Sequence, residues 1–160
     1  MIQNEKSSSV TEFRNYGKEV KVNVDPHVVK YGDLVVIKHC STKLNLHSHP
    51  LKYHHKKSSY NQQVSCTDKN DYGDYFYILP PPGVDKADGV SIKLNDYVSL
   101  KHQSTQLFVG SKDGFSSPAS RQGEVCCFLN PDEDKTSKTW IVTDIKGGFD
   151  LKRGLKFRLR

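Results

Sequence analysis

Hydrophobic residues alternate with polar ones in short runs along most of this chain. Val35, Ile37 and His39 fall on one face of an extended segment and Val36 and Lys38 on the other, just after the turn residues Gly32-Asp33. Similar runs recur at Val64-Ser65-Cys66, Tyr75 to Leu79, Tyr97 to Leu100, Gln106 to Val109, Val125 to Leu129 and Trp140-Ile141-Val142. No window carries the i, i+3, i+4, i+7 stripe of an amphipathic helix. The pattern predicts an all-β chain. Residues 1–27 are polar and aperiodic, with a Ser7-Ser8-Ser9 run and an Asp25-Pro26 break, and read as a leader or linker. The fold is expected to begin near Val28.

The strands repeat. Asp33–Ser48 laid on Asp96–Ser111, an offset of 63, gives eight identities in sixteen positions, among them Lys38/Lys101, His39/His102, Thr42/Thr105 and Leu44/Leu107. Farther on, Val64 and Cys66 fall on Val125 and Cys127 at an offset of 61, and Phe76 falls on Trp140 at 64. Gly154 to Arg160 lies on Gly32 to Lys38, placing Phe157 over Val35 and Val98, and Leu159 over Ile37 and Leu100. A unit of about 60 residues with four short strands cannot bury its apolar face alone, so three copies around an axis are expected. The units are residues 28–83, 84–146 and the start of a third at 147–160. A third copy cut at its first strand leaves open edges where further strands would pair.

Composition narrows the function classes. The chain has 160 residues and 35% hydrophobic content, enough for one modest core. Its longest apolar runs, Leu34 to Ile37 and Val125 to Leu129, are far short of the roughly 20 residues of a spanning helix. Met1 to Val10 lacks the basic start and apolar stretch of a secretory leader, leaving a cytosolic protein or a piece of a longer chain. The net charge of +6 resides mostly in Leu151–Arg160, which holds five basic residues and no acid; the rest of the chain is +1. Nucleic-acid binders spread such charge over a face and interleave stacking aromatics, so no nucleic-acid partner is expected. Cys40, Cys66, Cys126 and Cys127 show no zinc spacing, and the adjacent pair Cys126 and Cys127 cannot both enter one core from a strand. One of the two is expected to be exposed or paired.

Leu46-His47-Ser48-His49, followed by Asn61-Gln62-Gln63-Val64-Ser65-Cys66, Asp71 and Phe76, resembles the MIR motif. That motif is shared by protein O-mannosyltransferases, luminal stromal-cell-derived-factor-like proteins, and inositol trisphosphate and ryanodine receptors. The LHSH and QQVS strings point to the first two groups. In the second copy, Pro80-Pro81-Pro82, Leu94-Asn95-Asp96, Ser117-Pro118-Ala119-Ser120 and Gln122 to Cys127 resemble the second MIR motif of a dolichyl-phosphate-mannose protein mannosyltransferase. The resemblance covers residues 28–160 and implies a β-trefoil at the luminal side of the endoplasmic-reticulum membrane. It implies no catalytic residue and no cofactor in this segment. Its partners would be a protein or glycan substrate and the remainder of a membrane-embedded transferase, alone or as a dimer. The alternative is a soluble luminal quality-control module like the stromal-cell-derived-factor-like proteins. Departures from the motif are Gly73-Asp74 for paired Asn, Phe76 for Trp, Gly110 for the motif His, and Gly123-Glu124 for the double Gln.

The chemistry expected of the first copy is recognition of hydroxyl groups. His47 and His49 can point the same way, while Ser48, Gln62, Gln63 and Asp71 add donors and acceptors that read sugar hydroxyls, with Phe76 as an apolar floor. The competing expectation is that these groups brace the hairpin by satisfying buried polar atoms. His39, Cys40, His47 and His54-His55 are too irregularly spaced for a metal site, and the Tyr53–Tyr60 loop reads as a solvated hairpin tip. No nucleophile elbow, Gly-rich phosphate loop or HExxH string occurs.

Overall fold

A computed structural model describes residues 11–15, 18–22, 25–129, 138–144 and 149–160, the first two segments as backbone only. The Ser7-Ser8-Ser9 run and the boundary expected at residues 146–147 lie outside the described residues. Strands β1 (Thr11–Asn15) and β2 (Lys18–Val22) form a two-stranded antiparallel sheet within the segment read as a leader. The remaining strands are β3 (Leu34–Val35), β4 (Asn45–Lys52), β5 (Gln62–Thr67), β6 (Phe76–Leu79), β7 (Tyr97–His102), β8 (Phe108–Ser116), β9 (Gly123–Phe128), β10 (Trp140–Thr143) and β11 (Arg158–Leu159). They build one nine-stranded sheet in the order β11-β10-β7-β8-β9-β5-β4, with β6 joining β3 to β7. Tyr72–Asp74 forms a short 3-10 turn, and no α-helix occurs among the described residues.

The all-β expectation holds, and the sheet curls around its core as a β-trefoil-type half-barrel. Three backbone positions meet in a ring: Val29 N–H donates to Leu151 O, Leu151 N–H to Ile92 O, and Ile92 N–H to Val29 O, at 2.8–3.0 Å. All three side chains are buried. This ring satisfies the amides of three strand starts that no single unit could pair for itself. The turns that follow match, with Gly32, Asn95 and Gly154 all at positive φ and closed by Lys30 O, Lys93 O and Lys152 O. Lys43 and Gln106, 63 residues apart, also share a positive φ, and His39 and His102 each bond the threonine three residues on. The same local sequence thus makes the same tight turn twice.

The core joins Tyr31, Phe76, Ile78, Val98, Leu100, Val109, Cys127 and Val142 to the ring residues, with Val35, Ile37, Phe157 and Leu159 packed against its rim. Tyr31 and Phe76 are the bulkiest of the fully buried side chains, and apolar burial of this kind is the dominant favourable term in a core. Val36 stays outward and exposed, as alternation requires.

Near β9 one expectation fails and a second holds only in part. Cys126 and Cys127 are both buried and both free, although they face opposite ways. The reason is the Tyr53–Tyr60 loop, which lays Tyr53, Ser58 and Ser59 over the outer face of β9 while His54, Lys56, Lys57 and Tyr60 stay exposed as a solvated tip would. Glu124, fully buried, accepts from Ser59 N and Ser59 Oγ; Ser116 N donates to Lys57 O; and Tyr53 Oη donates to Val125 O. Glu124 is the residue that departs from the double-Gln motif, and it anchors the first unit's loop on the second.

Candidate functional site

β4 runs along one end of the sheet and carries the LHSH string. Its pairing with β5 is regular from Asn45↔Thr67 to Ser48↔Val64 and then shifts before Lys52↔Gln62. The irregularity spans His49-Pro50-Leu51, where proline has no amide to contribute, and it bends the edge strand away from its partner. His47 and His49 therefore lie side by side on one face, ring centroids 4.3 Å apart, while Ser48 points the other way.

The inward face consumes its polar atoms. Ser48 Oγ donates to Gln63 O at 2.6 Å and accepts from Gln62 Nε2 at 2.8 Å; Gln62 Nε2 also reaches Thr105 Oγ1 at 3.0 Å. Both residues are buried. Of the six expected site residues, Ser48 and Gln62 thus tie the first unit to the second. The outward face keeps His47, His49 and Gln63 along an open cavity of about 250 Å³, with Asp71 beside the two rings. Gln63 Nε2 donates to Lys52 O at 2.9 Å, and its side-chain carbonyl oxygen has no hydrogen-bond partner among the described residues.

His47 is held from behind by a carboxylate. A carboxylate only accepts, so His47 Nδ1–H donates to Asp74 Oδ1 at 2.8 Å. Asn45 Nδ2 donates to the other oxygen of Asp74 at 2.8 Å and to Asn70 Oδ1 at 3.0 Å. Asp74 and Asn45 are 1% and 2% exposed, so this chain of charge-assisted bonds is sealed from water. Asp71 opens the 3-10 turn by accepting from Gly73 N at 2.7 Å; its oxygens lie 3.6 Å from His47 Nδ1 and 3.7 Å from His49 Nε2. Gly73 is required by closeness: a Cβ there would sit 2.5 Å from His47 Cε1 and 2.7 Å from Ser48 O.

Phe76 is not the floor of this site. It is fully buried and packs against His102, ring centroids 5.2 Å apart. The aromatic at the site is Tyr72, 59% exposed, with its ring 5.1 Å from that of His49. Asn45, Tyr72 and Asp74 were missed by sequence reasoning. The available signal was the Asp71-Tyr72-Gly73-Asp74 spacing, in which one short turn presents two carboxylates and an aromatic to the same strand. Beneath the site, burial holds the His102 imidazole below its ordinary value, helped by the nearby His47 and His49 rings.

A curled trefoil sheet presenting an LHSH edge braced by QQVS resembles a module of the MIR kind. The chain is 33% identical to dolichyl-phosphate-mannose--protein mannosyltransferase 4 of Saccharomyces cerevisiae over 107 residues, which are 64% of this chain and 14% of that protein. It is 30% identical to the stromal cell-derived factor 2-like protein of Dictyostelium discoideum over 134 residues, 82% of this chain and 62% of that protein. Among solved structures, the SDF2-like protein of Arabidopsis thaliana superposes with a TM-score of 0.76 at 29% identity, covering 83% of this chain and 72% of that one. The chain therefore spans a small part of the mannosyltransferase and about three-fifths of the stromal-cell-derived-factor-like relative. No family model matches it. Among the described residues, no helix is long and apolar enough to cross a membrane.

Proposed function

We propose that this chain is the non-catalytic MIR segment of a protein O-mannosyltransferase, placed on the luminal side of the endoplasmic-reticulum membrane. There it binds the protein or glycan substrate of O-mannosylation. The observation that carries this reading is the division of labour along β4 and β5. Ser48 and Gln62 are spent inside, whereas His47, His49, Gln63 and Asp71 line or flank one open cavity beside an exposed Tyr72. Planar amide and imidazole groups next to an aromatic face suit the alternating hydroxyls and C–H faces of a sugar.

The test is a nuclear magnetic resonance titration of the chain with a serine- and threonine-rich peptide, unmodified and carrying α-mannosyl-threonine. Signals of His49, Gln63 and Tyr72 are expected to shift with the mannosylated peptide. The His49→Ala, Gln63→Ala double variant is expected to lose at least about tenfold in affinity while its stability stays within about 1 kcal/mol, since both residues are partly exposed. No shift with either peptide overturns the proposal. The second reading, a soluble luminal quality-control module, is favoured by the larger share of the stromal-cell-derived-factor-like relative that the chain spans. Binding of unfolded polypeptide regardless of mannose would select it.

A further inference from the structure

The geometry points to a further property of the β4 edge: we infer that His47, His49 and Asp71 form a binding site for one divalent transition-metal ion, with zinc the best match. One ligand atom from each of the three lies within 4.8 Å of the other two. The bonds of tetrahedral zinc, about 2.0–2.1 Å long, set neighbouring ligand atoms about 3.4 Å apart. Asp71 Oδ2 already stands 3.7 Å from His49 Nε2, and the His47 nitrogen left to bind is Nε2, since Nδ1–H is held by Asp74. Closing the set takes rotations of His49 and Asp71, whose side chains are 30% and 35% exposed, with Asp71 Oδ1 remaining on Gly73 N and Oδ2 turned to the ion.

Asp74 is the second reason. A metal-binding imidazole is characteristically fixed by a carboxylate behind it, and Asp74, itself gripped by Asn45, does this for His47. Such a carboxylate sets the ring's tautomer and orientation before the ion arrives. Among the described residues His47 Nε2 has no hydrogen-bond partner, yet it is not one of the sealed orphan atoms there, which are Asn45 Oδ1, His55 Nε2 and His102 Nε2. It therefore keeps access to the solvent from which an ion would enter. Two imidazoles and one carboxylate favour zinc and its transition-metal neighbours over magnesium or calcium, which require more oxygen ligands. Three protein ligands leave a coordination position open. The inference does not depend on the glycan reading, because metal is measured with no sugar or peptide present.

The experiment is calorimetric titration of the chain with Zn²⁺ alone, paired with the visible spectrum of the Co²⁺ form. One ion per chain and the intense bands of tetrahedral cobalt are expected, with no heat from Mg²⁺. His49→Ala and Asp71→Ala should each weaken binding at least about tenfold. Asp74→Asn should weaken it about 10–100-fold as a positioning change, judged at temperatures where its unfolding curve shows it folded. Cys66→Ser, which removes an exposed thiol lining the same cavity but outside the ligand set, and His54→Ala should leave it unchanged. The inference is overturned if no zinc binds, or if His49→Ala and Asp71→Ala retain wild-type affinity. It is likewise overturned if Cys66→Ser or His54→Ala abolishes binding.

Discussion

Replacing Asp74 by alanine should damage the fold more than any other single change at the site. Its carboxylate is 1% exposed and accepts two bonds of 2.8 Å, from His47 Nδ1 and Asn45 Nδ2. Alanine leaves both donors facing a small void from which water is excluded. Each buried donor left unmade costs about 1–3 kcal/mol, and Asn45 recovers part of its share through Asn70 Oδ1. The expected loss is therefore about 2–5 kcal/mol, a large part of the stability of a domain of this size. Asp71→Ala is the internal control. Asp71 is half-buried and its one close bond is to Gly73 N, so its loss should cost about 1 kcal/mol. The assay is urea unfolding of both variants with the midpoint and slope fitted together. An Asp74→Ala loss below about 1 kcal/mol, or an Asp71→Ala loss equal to it, would refute the assignment of Asp74 as the buried brace.

Two further outcomes follow from burial. Desolvation pushes the Cys127 thiol up to about 12 and the Cys126 thiol upward too, while Cys40 and Cys66 are exposed. A thiol-disulfide reagent at neutral pH should modify two cysteines of the native chain and four after denaturation; more than two in the native state would show that the Tyr53–Tyr60 loop does not cover β9. Burial also holds His102 below its ordinary 6.5, so the unfolded chain takes up this proton first. Its contribution is fully present above about 6.5 and is lost as pH falls from there through the lower native value. Unfolding midpoints measured from pH 8 to pH 5 should decline less in His102→Gln than in the parent, and equal slopes would contradict the assignment.

What the sequence by itself determined is the part of the structure that is local and periodic. Period-two alternation placed β5 through β10, and the 63-residue offset aligned Lys43 with Gln106, which the structure shows at the same positive φ. The LHSH spacing was enough to put His47 and His49 on one face, because side chains two apart on a strand share a side. Tertiary structure decided which of those faces water can reach. Ser48 and Gln62 read as site residues, yet their hydroxyl and amide close on each other and on Thr105, 43 residues beyond Gln62. His47 reads in the sequence either as a ligand contact or as a hairpin brace, and only the fold brings Asp74, 27 residues on, to its Nδ1. Phe76 and Tyr72 exchanged roles for the same reason: alternation sets which side a residue faces, and only the neighbouring unit sets whether that side is covered. Burial and hydrogen-bond satisfaction depend on groups far apart in the chain, and no local pattern encodes their meeting.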